Sequence, residues 1–165
     1  MKSVFYSLLA FACLIMGFTS CETTEINEDD NHSNLTGIYV LQQVTINYAN
    51  GKTKTYNQKK DFSSNNDNIL FDYQYVFEKN GTYSFQGGYD DELYSGCTYK
   101  IKNGVLNMSL SPLFNFGMTA YKIVSNSGGT LILEPTDAML DLNNDVRALV
   151  DEEQIKKTTG TYQKQ

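Results

Sequence analysis

The chain is poor in the residues that do most catalytic and nucleic-acid chemistry. It has one histidine, His32, one arginine, Arg147, and three cysteines in 165 residues. His32 lies in an acidic stretch ahead of the candidate domain, so a histidine-based triad or a histidine-rich metal site is closed to the folded part. Cys13 sits in an apolar N-terminal run and Cys21 at its exit. Cys97 is then alone, no internal disulfide can form, and burial and sheet pairing must hold the fold. The net charge is −6 and the basic residues are scattered. That argues against nucleic acid or an anionic membrane face as a partner, because both demand clustered Lys and Arg. No glycine loop cradles a phosphate, since Gly87-Gly88 precedes a turn and not a helix. The longest apolar run, Val4 to Phe18, is about 15 residues, short of the roughly 20 that a membrane-spanning helix needs.

That run follows Lys2 and ends in the small residues Thr19-Ser20 before Cys21, the order of a secretory signal. Phe18-Thr19-Ser20-Cys21 resembles the lipobox of bacterial lipoproteins, which implies a signal peptide over residues 1–20 and lipidation of Cys21. Phe18 stands where Leu, Val or Ile is usual. Residues 22–35 carry Glu22, Glu25, Glu28, Asp29 and Asp30 with few apolar groups and read as a flexible tether. Acids directly after the cysteine resemble the surface-export signal of some Gram-negative lipoproteins. The expected organisation is signal peptide 1–20, lipidated cysteine and tether 21–35, and one domain over 36–165. The expected location is the outer membrane, lipid-anchored and facing the cell surface, with the periplasmic face as the alternative.

Within the domain the strongest local signals are turns. Asn50-Gly51, Asn80-Gly81 and Asn103-Gly104 are the residue pairs that best tolerate the positive φ of a type I′ hairpin turn. Asn126-Ser127-Gly128-Gly129 predicts a looser fourth turn. Between them the apolar residues alternate. Ile69, Phe71, Tyr73, Tyr75 and Phe77 share one face, with Leu70, Asp72, Gln74, Val76 and Glu78 on the other; period two puts the first set inside. Tyr83 and Phe85 extend that face, as do Leu93, Cys97, Tyr99 and Ile101, then Leu106, Met108 and Leu110, and last Tyr121, Ile123, Leu131 and Leu133. The first strand, about 37–48, loses phase at Gln42-Gln43 and predicts a bulge or bend. Residues 52–56 read as a polar edge strand, and 158–164 as a ninth strand. Val146, Leu149 and Val150 predict one short amphipathic helix over 143–154, capped by residues from 141–144.

Leu35-Thr36-Gly37-Ile38-Tyr39, the hairpin Tyr75 to Tyr83, Tyr99 to Leu106, and the closing pair Tyr121-Lys122-Ile123 and Leu131-Ile132-Leu133 together resemble the lipocalin-like domain of bacterial outer-membrane lipoproteins. The family's opening motif usually carries tryptophan where Tyr39 stands, and the chain has no tryptophan. The resemblance spans most of residues 35–134. It implies an all-β fold: an antiparallel up-and-down meander of eight or nine strands closing into a barrel, with one short C-terminal helix. It leaves the ligand open.

Chemistry within that barrel is sparse. Cys97 on an apolar strand face reads as a small buried hydrophobe. Asp72, Asp90, Asp91 and Glu92 could supply a carboxylate pair for glycoside hydrolysis, but Asp90-Asp91-Glu92 reads as a solvated turn. Asp141, Asn143, Asp145 and Glu152 have calcium-loop spacing without the glycine at position six, and a helix start is the plainer reading. No enzyme activity, metal or cofactor is expected. What remains is aromatic: 11 of the 12 tyrosines lie after Cys21, and Tyr73, Tyr75, Tyr83, Tyr99 and Tyr121 fall on the expected inner face. An eight-stranded barrel either fills with side chains or holds one small ligand. The leading expectation is a lipid-anchored barrel binding a small or amphipathic ligand, a glycan included. The alternative is an interaction module docking to a larger surface complex.

Overall fold

The computed structural model describes residues 35–57, 70–87, 92–109, 118–150 and 152–165. Cys21, His32, the acidic tether up to residue 34, Ile69, Asp90, Asp91 and Leu110 lie outside the described residues. The elements run β1 (Gly37–Tyr48), β2 (Thr53–Tyr56), β3 (Gln74–Phe77), β4 (Thr82–Gln86), β5 (Leu93–Lys102), β6 (Val105–Ser109), β7 (Met118–Ser127), β8 (Thr130–Pro135), α1 (Asp137–Leu149) and β9 (Ile155–Lys164). The strands pair in the order β2-β1-β3-β4-β5-β6-β7-β8-β9, all antiparallel, and β1 also pairs with β9. Eight strands therefore close an up-and-down barrel, the lipocalin-like meander. The ninth, β2, shares one edge of β1 with β3: β3 pairs with residues 37–40 and β2 with residues 44–47.

Turn chemistry sets the hairpins. At Asn103-Gly104 both residues have positive φ, 53° and 74°, the two-residue I′ turn the pair predicts. Asn50-Gly51 and Asn80-Gly81 differ. Only the glycines are left-handed, Gly51 N–H donates to Tyr48 O and Gly81 N–H to Glu78 O, and the loops are three residues long, a type I turn followed by a left-handed glycine. The asparagine side chains still act: Asn50 Oδ1 accepts from Lys52 N–H at 2.9 Å and Asn80 Oδ1 from Thr82 N–H at 3.0 Å. The fourth turn is tighter than its sequence suggests. Ser127 pairs directly with Thr130 across Gly128-Gly129, both with positive φ.

Phase changes come at bulges. The β1 register shifts between Leu41 and Gln43, which keeps Leu41 and Val44 both buried and leaves the two glutamines outside. A second shift separates Tyr83↔Cys97 from Phe85↔Tyr94, at Gly96 with φ 81°. It corrects the expected alternation of β5: Cys97 and Tyr99 are buried, but Leu93 is exposed.

The helix also differs from expectation. It spans Asp137–Leu149, begins at Thr136 with no side-chain cap bond, and carries Asp137 in its first turn and Arg147 in its last, charges that suit the helix dipole. Residues 152–154 are not helical. The packed face is Met139, Leu140, Asn143 and Arg147. Val146, Leu149 and Val150, expected to face the core, are exposed, Leu149 at 86%. Fixed polar partners decide the orientation. Asn144 bonds both backbone groups of Ile155, at 2.7 and 2.8 Å. Arg147 Nε donates to Glu153 O at 2.7 Å, its guanidinium pairs with Glu152 at 3.0 Å, and it covers the Tyr48 ring at 5.7 Å. Asp141 and Asp145 are exposed while Asn143 is buried, so the calcium-like spacing does not converge. Among the described residues no group of three or more His, Cys, Asp or Glu could hold a metal ion, and no helix is long and apolar enough to cross a membrane.

Candidate functional site

Period two along each barrel strand sends a bulky residue inward from every wall. Tyr75 on β3, Tyr83 on β4, Tyr99 on β5, Tyr121 on β7 and Tyr162 on β9 are all at most 2% exposed. Their rings meet edge-on or tilted: Tyr75–Tyr83 at 6.2 Å, Tyr75–Tyr162 at 5.3 Å, Phe77–Tyr99 at 4.9 Å. Such pairs add stability beyond the area they bury.

The five candidate tyrosines divide between places. Tyr99 belongs to one end of the barrel, where its hydroxyl donates to Glu78 O at 3.0 Å and its neighbours are Phe77 and, through Phe77, Tyr39. Lys164 lies over the Tyr39 ring at 5.8 Å. Tyr73 is half-buried against the core, with its backbone bonded to Leu41 and Gln86. Tyr75, Tyr83 and Tyr121 converge, and Tyr162 joins them. Sequence reading places Tyr162 on a ninth strand without assigning it to the site; its inward phase with Thr158 and Gly160 was the available signal.

The centre of this group is Asp72, expected on the outer face. The alternation that places it there assumes a strand back to Ile69, but β3 begins at Gln74, and residues 70–72 lie inside the barrel wall. Phe71 stacks on Tyr121 at 5.5 Å and meets Tyr162 edge-on at 6.5 Å. Tyrosine hydroxyls hold the backbone of this segment: Tyr121 donates to Leu70 O, and Tyr162 to Asp72 O at 2.9 Å. Tyr75 donates to Asp72 Oδ2 at 3.1 Å. Glu78, as expected, is exposed.

Burial shapes the electrostatics. It raises the Asp72 carboxyl to about 6, with the Tyr75 hydrogen bond opposing the shift. Tyr75 and Tyr162 rise well above the usual phenol range, first through burial and then through the nearby Asp72 and neighbouring tyrosines. Tyr121 rises for the same leading reason. Tyr99 is pushed up to about 12 by burial. Tyr83 rises through burial and its contact with Cys97, whose thiol burial also raises; the thiol is a soft partner, and the Tyr83 hydroxyl makes no full hydrogen bond. Near neutral pH the phenols and the thiol all hold their protons, and Asp72 is the group that changes charge. The arrangement can accept a proton or a positive group at one point inside an aromatic enclosure.

Two clefts lined by described residues lie away from Asp72. One of about 340 Å³ sits between the β1–β2 turn and the end of α1, bordered by Lys52, Lys54, Arg147 and Glu153. Another, of about 440 Å³, lies at the β7–β8 turn beside Tyr39 and Lys164. Both are open to solvent, and neither touches Asp72.

No protein-family model matches the chain, and no curated protein matches it. Among solved structures the chain is similar to a lipocalin-like protein from Bacteroides uniformis ATCC 8492, with 18% identity, a TM-score of 0.46, and coverage of 80% of this chain and 99% of that one.

Proposed function

We propose that the protein is a lipid-anchored cell-envelope lipoprotein, held at the outer membrane by Cys21 and facing the cell surface, whose barrel binds a small amphipathic ligand and catalyses no reaction. Anchoring is supported by the short apolar run, the Thr19-Ser20-Cys21 exit and the acidic stretch that follows. Several acyl chains on one cysteine hold stably where a single chain is marginal. Cys21→Ser should therefore move the protein from the membrane fraction to the soluble one. An unmodified mass for the native N-terminus would refute the anchor.

One observation carries the binding reading: a carboxylate and three tyrosine hydroxyls gathered inside the barrel around residues 70–72. Burying polar groups is costly unless each is bonded. A barrel that needed only to be filled would be served by aliphatic side chains. Here the hydroxyls bond a segment outside the sheet ladder, so the same donors can turn to a guest. N-phenyl-1-naphthylamine, a neutral aromatic amphiphile, tests the reading. Its fluorescence should rise with one-to-one saturation on the wild-type protein and should weaken at least tenfold with Tyr121→Ala. No saturable rise would refute it.

A second reading has its own observation. Leu142, Val146, Leu149 and Val150 form an exposed apolar stripe along α1, bordered by Asp137, Asp141 and Asp145. A docking module would use that face. Leu149→Asp should then shrink the complex recovered from detergent-solubilised envelopes; an unchanged complex size would remove this reading.

A further inference from the structure

We propose that the Phe71 ring is a built-in stand-in for the guest, and that the site it fills takes an aromatic cation, with its ring between Tyr121, Tyr162 and Gly160 and its ammonium group on Asp72. This rests on the ligand-binding reading and gives the guest a chemical class.

The seat is shaped for a flat ring. Phe71 lies nearly parallel to Tyr121, at 23°, and crosses Tyr162 at 69°. Its third wall is Gly160, in the middle of β9, where a Cβ would come within 2.8 Å of the ring. A glycine inside a strand weakens it and marks close approach by another group. Here the group that approaches is a ring carried by a segment that is not part of the sheet.

That segment stands outside the sheet ladder. Residues 70–72 precede the β3 ladder, whose register begins at Gln74. Side-chain hydroxyls hold them, and the Asp72 N–H reaches Tyr75 Oη only at 3.4 Å, past the usual length of a hydrogen bond. If the Phe71 ring turns out of its seat while Asp72 stays bonded to Tyr75 and Tyr162, the space between Tyr121, Tyr162 and Gly160 is freed. Gly160 still leaves room for a ring, and a ring-sized apolar cavity binds an aromatic guest readily.

Asp72 sets the charge of that guest. Among the described residues its side chain has one hydrogen-bond partner, Tyr75. Ion pairs among the described residues join Lys122 to Asp137, Arg147 to Glu152 and Lys157 to Glu134, and none of these involves Asp72. A half-buried carboxylate with no counter-charge among the described residues sits in an unfavourable place, and a cation brought to it relieves the cost. The groups facing it are Tyr75 from β3, Tyr83 from β4, Cys97 from β5, Tyr121 from β7 and Tyr162 from β9. None is basic, and aromatic faces attract cations. The same surroundings repel a carboxylate guest.

Calorimetric titration with three probes that share one ring tests this: 2-phenylethylammonium, neutral 2-phenylethanol and anionic phenylacetate. Wild type should bind the ammonium at least tenfold more tightly than the alcohol, with phenylacetate weakest. Asp72→Asn should erase that order. Phe71→Ala should tighten the ammonium and the alcohol at least tenfold, because a site held shut by its own side chain binds in proportion to its open fraction. If Phe71→Ala does not fold, Phe71→Leu should tighten them to a smaller degree. Ammonium binding should fade as pH falls through about 6, where Asp72 takes up its proton. Equal affinity for all three probes, or a preference that survives Asp72→Asn, overturns the assignment. Naphthylamine binding without any ammonium preference would sink this inference alone; failure of every probe would sink the binding reading as well.

Discussion

Replacing Asp72 by asparagine should stabilise the protein, and only above about pH 4. The folded carboxyl is raised from 3.8 to about 6, chiefly because burial disfavours its charged form. Between those two values the folded state holds a proton that the unfolded state has released. Stability from this group is therefore full below about pH 4, falls as pH rises, and is lost by about pH 6 to 7. At 1.36 kcal/mol for each pKa unit, the ionised aspartate costs about 3 kcal/mol at neutral pH. Asparagine has the same shape and still offers an oxygen to the Tyr75 hydroxyl, now 3.1 Å from Oδ2, but carries no charge. Urea unfolding followed by circular dichroism at pH 4, 5, 6, 7 and 8 gives the difference between the two proteins, in which every other acid cancels. With a typical urea slope near 2 kcal/mol/M, the Asp72→Asn variant should gain about 1 to 2 M in midpoint at pH 7 and almost nothing at pH 4. A gap independent of pH, or one that favours aspartate above pH 6, would show that the carboxylate is solvated and that residues 70–72 do not lie inside the barrel.

Other substitutions probe the surrounding packing. Gly160→Ala puts a methyl 2.8 to 3.0 Å from the Phe71 ring and should cost about 1 to 3 kcal/mol as an overpacked site; a thermal melt should show Phe71→Leu restoring part of it. Tyr75→Phe removes the bond that holds the Asp72 carboxyl down, so carboxyl carbon NMR should find it titrating above about 6. Tyr83→Phe deletes a buried hydroxyl that makes no full hydrogen bond among the described residues and should be neutral or slightly stabilising, whereas Tyr83→Ala should cost about 3 to 5 kcal/mol as a core cavity. Arg147→Ala strips the bond to Glu153 O and the cover over Tyr48 and should cost about 3 kcal/mol, read as a lower melting temperature.

Much of the fold is legible because hairpin physics is local. Each Asn-Gly pair marks a real turn, and alternation assigns the inner faces of β4, β6 and β8 correctly. The closed barrel follows from the strand order the resemblance implies. Alternation fails wherever the ladder gains a residue. At Gln42-Gln43 two glutamines in a row announce the bulge. At Ser95-Gly96 the only sign is the glycine, whose φ of 81° turns Leu93 outward. The helix shows a different failure. Its sequence has two stripes, Val146-Leu149-Val150 and Met139-Leu140-Asn143-Arg147, and apolar counting favours the first. The second wins because Asn144 and Arg147 find fixed carbonyl and carboxylate partners around residues 152–155, and a long arginine stem buries well against Tyr48.

The site is where local reading has least purchase. Phe71, Tyr75 and Phe77 are inside as period two requires, so the apolar half of the pattern hides the fault in the polar half. Asp72 belongs outside only if residues 69–73 are strand. Residues 70–72 are not, because β2 takes residues 44–47 of the β1 edge that β3 shares, and β3 pairs there only with residues 37–40, ending at the Tyr73 bonds to Leu41 and Gln86. Residues 70–72, ahead of Tyr73, have no ladder to join and turn into the lumen. Their backbone donors and acceptors must then be met by side chains, which is the work of the hydroxyls of Tyr121, Tyr162 and Tyr75. A tyrosine-rich interior, read from sequence as either a pocket or a packed core, is divided here between rings and hydroxyls. The rings pack as a core, and the hydroxyls meet the backbone and the carboxylate of residues 70–72.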